Sequence, residues 1–343
     1  MPIKFRIETR TVEVMTPKGE PVSYVLEYRW DPLTSRLSIV CPNLRDKWIG
    51  FYSVSDKDWM KKTVEKSREK CPFCKPMLDK IAAKFAPQQA EGGIMKFGDV
   101  RVFPNLYPRT DFEAVVTSPD IHYLDLDGFT SKMLADFLNA SLECIRKAHK
   151  NDDKLLYPVI GCNYMPSAGA SLVHPHFQIS VQQVPFHRTG ALADFSAHYK
   201  AAEGSDFWSD LARCNSEREI NHGEGVYWYV PFAPTGFCEV RAVTGKPDML
   251  ALETQDVKAV AGGLANVLRY YKDHGFTAFN FVIYSNRLDA GGNVLPVGLD
   301  IVARPNLREN YTSIDSWYMP LLLEQTIVPE SPEDVAKEIR KYF

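Results

Sequence analysis

The stretch SLVHPHFQIS (171–180) sets two of the chain's eight histidines one residue apart in a mostly apolar run. Side chains alternate along a strand, so His174, His176 and Gln178 share one face while Pro175 and Phe177 share the other. Polar groups gathered on one face of a buried strand are costly unless each finds a partner. The pattern therefore asks for a metal, a ligand or a dense hydrogen-bond network. An isolated His-x-His is more often a pair of satisfied histidines than a site, so the rest of the chain decides.

The sequence CPFC places Cys71 and Cys74 at the spacing that lets two thiolates reach one tetrahedral ion, which then needs two further ligands. The chain has no second Cys-x-x-Cys. A redox role is the alternative, but the pair follows the charged run KKTVEKSREK rather than a strand of a thioredoxin-like unit. His122, in SPDIH, and His174 make a Cys2His2 site feasible from separate elements, and zinc suits that ligand mix better than magnesium or calcium. If His174 serves the metal, His176 keeps a free imidazole nitrogen on the same face. A neutral imidazole is a good nucleophile toward phosphorus. Gln178 and Ser171 can donate hydrogen bonds to phosphate oxygens without adding charge. A metal-dependent hydrolase with His-x-His on a barrel strand would instead bind a catalytic ion through both histidines, and it would have no use for the cysteines.

The bulk numbers allow such an enzyme and exclude other classes. At 343 residues with 45% hydrophobic content the chain can fill a large core. Forty basic against 43 acidic residues give a net charge of -3, with no long run of one sign and no footprint for nucleic acid. MPIKFRIETR alternates charged and apolar residues rather than forming a secretory signal, and no run reaches the ~18 apolar residues that span a bilayer. A cytoplasmic protein without membrane or nucleic-acid partners is expected. Five further cysteines, Cys41, Cys144, Cys162, Cys214 and Cys238, read as core thiols.

Helical periodicity marks 130–149 behind Thr130 as N-cap and about 254–274 ended by Gly275. Ser331-Pro-Glu-Asp starts a last helix. Strand-like runs surround the first two helices in the same order. VFPNLYPRTDFEAVVTSPD (102–120) lies over YVPFAPTGFCEVRAVTGKPD (229–248), with Pro108 over Pro234 and Glu113 over Glu239, an offset of 126. A one-residue adjustment of the last strands sets His174, His176 and Gln178 against Gly298, Asp300 and Val302. The second copy keeps the scaffold without the polar signature. The polar stretch of about 185–226 reads as a connector.

The motifs together resemble the histidine-triad superfamily in its galactose-1-phosphate uridylyltransferase and ADP-glucose phosphorylase-like branch. They are DPLTSRLSIVCP (31–42), CPFC, FPNLYP, SPDIH, Asn163 eleven residues before His174, and HPHFQ. The resemblance implies an α+β fold of two histidine-triad-like halves, 1–190 and 191–343, each an antiparallel sheet with a helix, forming one pseudo-symmetric unit. It implies one structural zinc held by Cys71, Cys74, His122 and His174, no organic cofactor, and His176 as nucleophile with Gln178 and Ser171 on the phosphates. Asn105, Tyr107 and Asn163 would line the nucleotide pocket, with Arg45 and Lys47 as its basic residues. The implied reaction moves a nucleoside monophosphate from a nucleotide-sugar to a phosphorylated acceptor through nucleotidyl-His176. Phosphate or water as acceptor would make the enzyme a phosphorylase or a hydrolase. A zinc-stabilised, non-catalytic nucleotide-binding protein is the reading of another class. A homodimer is expected by analogy. Val173 and Phe177 depart from the pattern, Ile121 is inserted before His122, and GLDIVAR (298–304) lacks the histidines of a second metal site. Phe177, inside the motif, suggests an acceptor other than the usual sugar.

Overall fold

The computed structural model describes residues 3–52, 56–292, 294–306, 309 and 316–343. Among these, fourteen strands form two sheets. The smaller has the order β1 (Arg6–Met15), β2 (Pro21–Trp30), β3 (Leu37–Val40), β14 (Thr326–Val328), so the two ends of the chain meet in it. The larger runs β4 (Met95–Phe97), β5 (Val100–Pro104), β6 (Phe112–Thr117), β8 (His176–Gln182), β7 (Tyr157–Tyr164), β12 (Ala278–Tyr284), β13 (Gly298–Arg304), β11 (Phe237–Thr244), β10 (Val226–Tyr229), β9 (Glu219–Gly223). Exchanging the two halves leaves that order unchanged. This is the α+β, pseudo-symmetric arrangement that the motifs imply, with β7 and β12 joining the copies in one sheet.

The registers carry the duplication. Arg101 pairs Thr117 and Tyr227 pairs Val243; Met95 pairs Val102 and Asn221 pairs Trp228. Each residue of the second pair lies 126 after its counterpart. The alignment of the last strands needs correction. Thr117 pairs His176 and Val243 pairs Gly298; Val115 pairs Gln178 and Arg241 pairs Asp300. Gly298 is thus the counterpart of His176, and Asp300 that of Gln178, two residues away from the expected matches. Hydrogen-bond register decides this, because the second copy takes four residues fewer to reach its last strand.

Between the sheets in sequence lie α1 (Arg45–Tyr52), α2 (Lys57–Arg68) and α3 (Met77–Ile81). The two long amphipathic helices, α4 (Ser131–Asn151) and α7 (Thr254–Asp273), pack on each other and on one face of the large sheet. Thr130 caps α4 by accepting from the Met133 amide at 3.3 Å, a contact worth about 1 kcal/mol. Leu134, Phe137, Leu138 and Ile145 from α4 and Val260, Leu264, Val267 and Leu268 from α7 are buried in the shared core. Gly263 lets α7 lie against Trp228 of β10, where a Cβ would collide with the indole.

On the other face the halves have separate covers. Leu78, Ile94, Phe103 and Val115 cluster over the first half with Phe73. The stretch read as a connector is instead α5 (His187–Glu203), α6 (Phe207–Cys214) and the first strands of the second copy. Leu192, Phe207, Trp208 and Leu211 cover Tyr227, Tyr229 and Tyr284 there. Its polar composition reflects helices with one exposed side. Cys214, at the end of α6, is exposed, unlike the other four cysteines read as core thiols, because it sits on that outer side. After α8 (Tyr318–Leu322), Ser331 caps α9 (Pro332–Ile339). No described helix is long and apolar enough to cross a membrane.

Candidate functional site

Four residues distant in sequence converge beside the start of β8. Ligand atoms of Cys71, Cys74, His122 and His174 all lie within 4.8 Å of one another. Cys71 Sγ is 3.4 Å and Cys74 Sγ 3.4 Å from His174 Nδ1, and Cys74 Sγ is 3.2 Å from His122 Nδ1. These sulfur–nitrogen spacings suit ligands that share one ion. The inserted Ile121 does no harm, because its amide donates to Ser118 O and the turn carries His122 inward.

The surrounding hydrogen bonds fit a metal. His174 Nε2 lies 2.9 Å from the Ser118 carbonyl and donates to it, which leaves the Nδ1 lone pair facing the sulfurs. His122 Nε2 lies 2.9 Å from Ser67 Oγ and 3.2 Å from Val64 O on α2, so its Nδ1 is likewise turned inward. Outer partners of this kind fix the tautomer of metal-binding imidazoles. Burial lowers His174 to about 4 and also lowers His122, so both rings are neutral ligands. Burial and the adjacent Cys71 thiol push Cys74 up to about 12 when no cation is present. A dication reverses that penalty, and this donor set is one that could hold a metal.

His176 opens β8. Its Nδ1 sits 2.7 Å from His174 O, a contact that a proton on Nδ1 satisfies, so the Nε2 lone pair is free. The ring is buried, and burial lowers its pKa against the pull of that hydrogen bond. Phe73 stands edge-on to both histidines, with centroids 5.8 Å from His174 and 5.3 Å from His176. Thr117 Oγ1 donates to Pro175 O at 2.8 Å and ties the histidine pair to β6.

From Gln178 one rung of the sheet runs through Gly161, Val282 and Asp300 to Arg241. Gln178, Gly161 and Val282 are half-buried, whereas their neighbours on the helix side, Phe177, Ile160, Cys162, Phe281 and Ile283, are buried. A half-buried strip of the sheet thus leads away from Gln178 as far as Val282. Asn163 Oδ1 accepts from Asn280 Nδ2 at 2.6 Å beside it.

The remaining expected residues divide. Asn105 is held by Glu113, through Nδ2 to Oε2 at 2.9 Å, and its Oδ1 accepts from the Tyr107 amide. The Tyr107 side chain is exposed, as is Ser171. Arg45 and Lys47 stand apart. Arg45 faces Glu330 and Glu338 at 3.9 and 3.8 Å, near the last helix, and Lys47 is exposed. Phe177 needs correction. It is buried on the helix face, with Phe137 at 5.1 Å and Phe281 at 4.9 Å, so it shapes the core and does not meet an acceptor. Residues missed from sequence are Ser118, Ser67, Phe73, Thr117 and Asn280. Phe73, inside CPFC, and Ser118, the first residue of SPDIH, sat in motifs that pointed to them.

No family model matches the chain. An uncharacterized protein from Archaeoglobus fulgidus is 27% identical over 343 residues, 99% of each chain. Among solved structures, an ADP-glucose phosphorylase from Arabidopsis thaliana, solved with bound ADP-glucose, is 24% identical over 92% of this chain and 99% of its own, with a TM-score of 0.69. A GALT-like protein from Arabidopsis thaliana is 23% identical over 92% and 98%, also at 0.69. A uridylyltransferase is 21% identical over 72% and 85%, at 0.64. The chain has the uridylyltransferase-like fold. Within it, the Cys71–Cys74–His122–His174 cluster and His176 occupy one end of β8.

Proposed function

We propose that the protein is a nucleotidylyltransferase acting on nucleotide-sugars through a covalent nucleotidyl-His176 intermediate. The observation that carries the reading is the pairing of His176 Nδ1 with His174 O, which leaves Nε2 as the only open nitrogen of a neutral imidazole. In the first step Nε2 attacks the α-phosphorus. The P–N bond forms, the P–O bond to the sugar 1-phosphate breaks, and the sugar phosphate leaves with the electron pair. In the second step an oxygen of the acceptor forms a P–O bond and the P–N bond breaks. The Nδ1 hydrogen bond steadies the imidazolium character that develops on the ring.

Gln178 and Ser171 would hold the phosphate oxygens, and Asn105, Tyr107 and Asn163 would line the nucleotide pocket. Glu113 would fix Asn105. Zinc held by Cys71, Cys74, His122 and His174 would supply structure alone, since a closed four-ligand shell leaves no position for substrate. A sugar 1-phosphate acceptor gives a transferase. Inorganic phosphate gives a phosphorylase, a second reading favoured by the fold shared with an ADP-glucose phosphorylase. A homodimer in the cytoplasm is the setting that this reading expects, with the catalytic signature in 1–190 and the degenerate half in 191–343.

Intact-mass measurement after incubation with UDP- and ADP-sugars tests the mechanism. One nucleoside monophosphate should add to the wild type and none to His176→Ala. An adduct that persists in His176→Ala, or no adduct with any donor, rejects the covalent route; in the second case a non-catalytic zinc protein is what remains. Discharging the adduct with sugar 1-phosphate, phosphate or water separates transferase, phosphorylase and hydrolase.

A further inference from the structure

The second half has a site-like feature of its own where the first half keeps its nucleotide loop. At the offset of 126 that the registers establish, Tyr107 and Arg109 correspond to Ala233 and Thr235, and Val115 to Arg241. Ala233, Thr235 and Arg241 line an open cavity of about 530 Å³, with Arg36, just before β3, and Arg188 of α5 on its wall. Three guanidiniums therefore face one space.

The acids nearby match the three guanidiniums in number, with Glu324 also on the wall, but they gather on Arg241 and Arg188. Glu239 Oε1 takes Arg241 Nε at 2.7 Å. Asp300 Oδ2 takes Arg188 Nη2 at 2.6 Å, and its Oδ1 lies 3.6 Å from Arg241. Asp31 uses Oδ1 on the Leu33 and Thr34 amides and the Thr34 hydroxyl, while its Oδ2 lies 3.7 Å from Arg241. Arg36 is left without a carboxylate within 4 Å among the described residues. One of its nitrogens, Nη2, reaches Thr326 Oγ1 at 2.7 Å and the Glu324 carbonyl at 3.5 Å, and its Nε and Nη1 make no hydrogen bond among those residues. Burial, together with the positive charges of Arg188 and Arg241, lowers its pKa against the pull of Glu239 and Asp31. A half-buried guanidinium with two uncommitted nitrogens and no carboxylate within 4 Å among the described residues is free to take an anion.

A second feature points the same way. The 17-residue helix α5 begins at the cavity, with His187 and Arg188 on its wall, and its N-cap, Phe186, gives no side-chain cap. The first-turn amides and the positive end of the helix dipole are the usual setting for an oxyanion. Planar guanidiniums match phosphate in pairs of parallel hydrogen bonds. The apolar wall of Ala191, Leu192 and Phe195 and the volume leave room for more than the anion.

We propose that this cavity is a second ligand site, for the phosphate group and attached organic part of a small phosphomonoester, separate from the His176 site. Arg36 supplies the uncommitted donors, and Arg188 and the α5 N-terminus complete the phosphate cradle.

Calorimetric titration of the full chain with glucose 1-phosphate, with glucose and inorganic phosphate as controls, tests it. The wild type and His176→Ala should bind at this site alike. In Arg36→Gln the number of equivalents bound should fall by one, or that site should weaken at least tenfold, while the nucleotidyl adduct at His176 still forms. Arg188→Gln, at a side chain 44% exposed, is the second variant should Arg36→Gln not fold, and it should weaken the same site. Unchanged stoichiometry and affinity in the folded variant, or no binding to the wild type at this site, overturns the proposal. Inorganic phosphate binding there as tightly as the phosphomonoester overturns the assignment of ligand class.

Discussion

The two halves of the large sheet use the same frame for opposite ends. In the first, the rung positions Thr117–His176 and Val115–Gln178 carry a free imidazole and a neutral amide beside a Cys/His cluster. In the second, the matching positions Val243–Gly298 and Arg241–Asp300 carry no side chain at one place and a buried ion pair at the other. Backbone pairing tolerates either set because the pleat fixes only the side to which a residue points. Chemistry then depends on what covers that face. Cys71 to Ile94 brings thiols over one half, and α5 and α6 bring Arg188 and an apolar lid over the other.

Metal removal is the strongest way to sharpen this contrast. Chelation should release close to one equivalent of zinc and raise amide exchange in residues 71–78 and 118–123, with β11 and β13 unaffected, as elemental analysis and hydrogen exchange can show. Less than about half an equivalent in fresh protein, or exchange rising equally in both halves, breaks the contrast. Next comes Asp300→Ala, which removes the partner of Arg188 and one of the three carboxylates around the buried Arg241 and should cost about 3 kcal/mol in denaturant melts. Gln178→Ala, at the matching position of the other half, should cost under about 1 kcal/mol because Gln178 is half-exposed. Gly298→Ala should be smaller than the first of these, about 1–3 kcal/mol, since its Cβ would meet the Tyr284 ring at 2.7 Å. Equal costs for Asp300→Ala and Gln178→Ala would show that the second half is not held by its ion network.

Much of the frame was legible. Thr130 and Ser331 as caps, the amphipathic faces of α4 and α7, and the 126-residue repeat all rest on local chemistry or on letters that repeat. The Cys71, Cys74, His122 and His174 group was legible because a Cys-x-x-Cys demands further ligands. The match of the last strands was not, since the two copies differ in length there and only hydrogen-bond register fixes the pairing. Phe177 looked like a specificity residue for the same reason: its place in a motif was visible, while Phe137 and Phe281 were not.

The sequence by itself determined that His174, His176 and Gln178 share a face, since a strand alternates whatever surrounds it. Tertiary structure alone decided which nitrogen of His174 faces the sulfurs, because that depends on the carbonyl of Ser118, 56 positions away, lying 2.9 Å from Nε2. It also decided that Arg36, in a stretch shared with the N-terminal motif, stands over the second half. That placement comes from β3 pairing with β14, a contact between residues nearly 290 positions apart that no local pattern records.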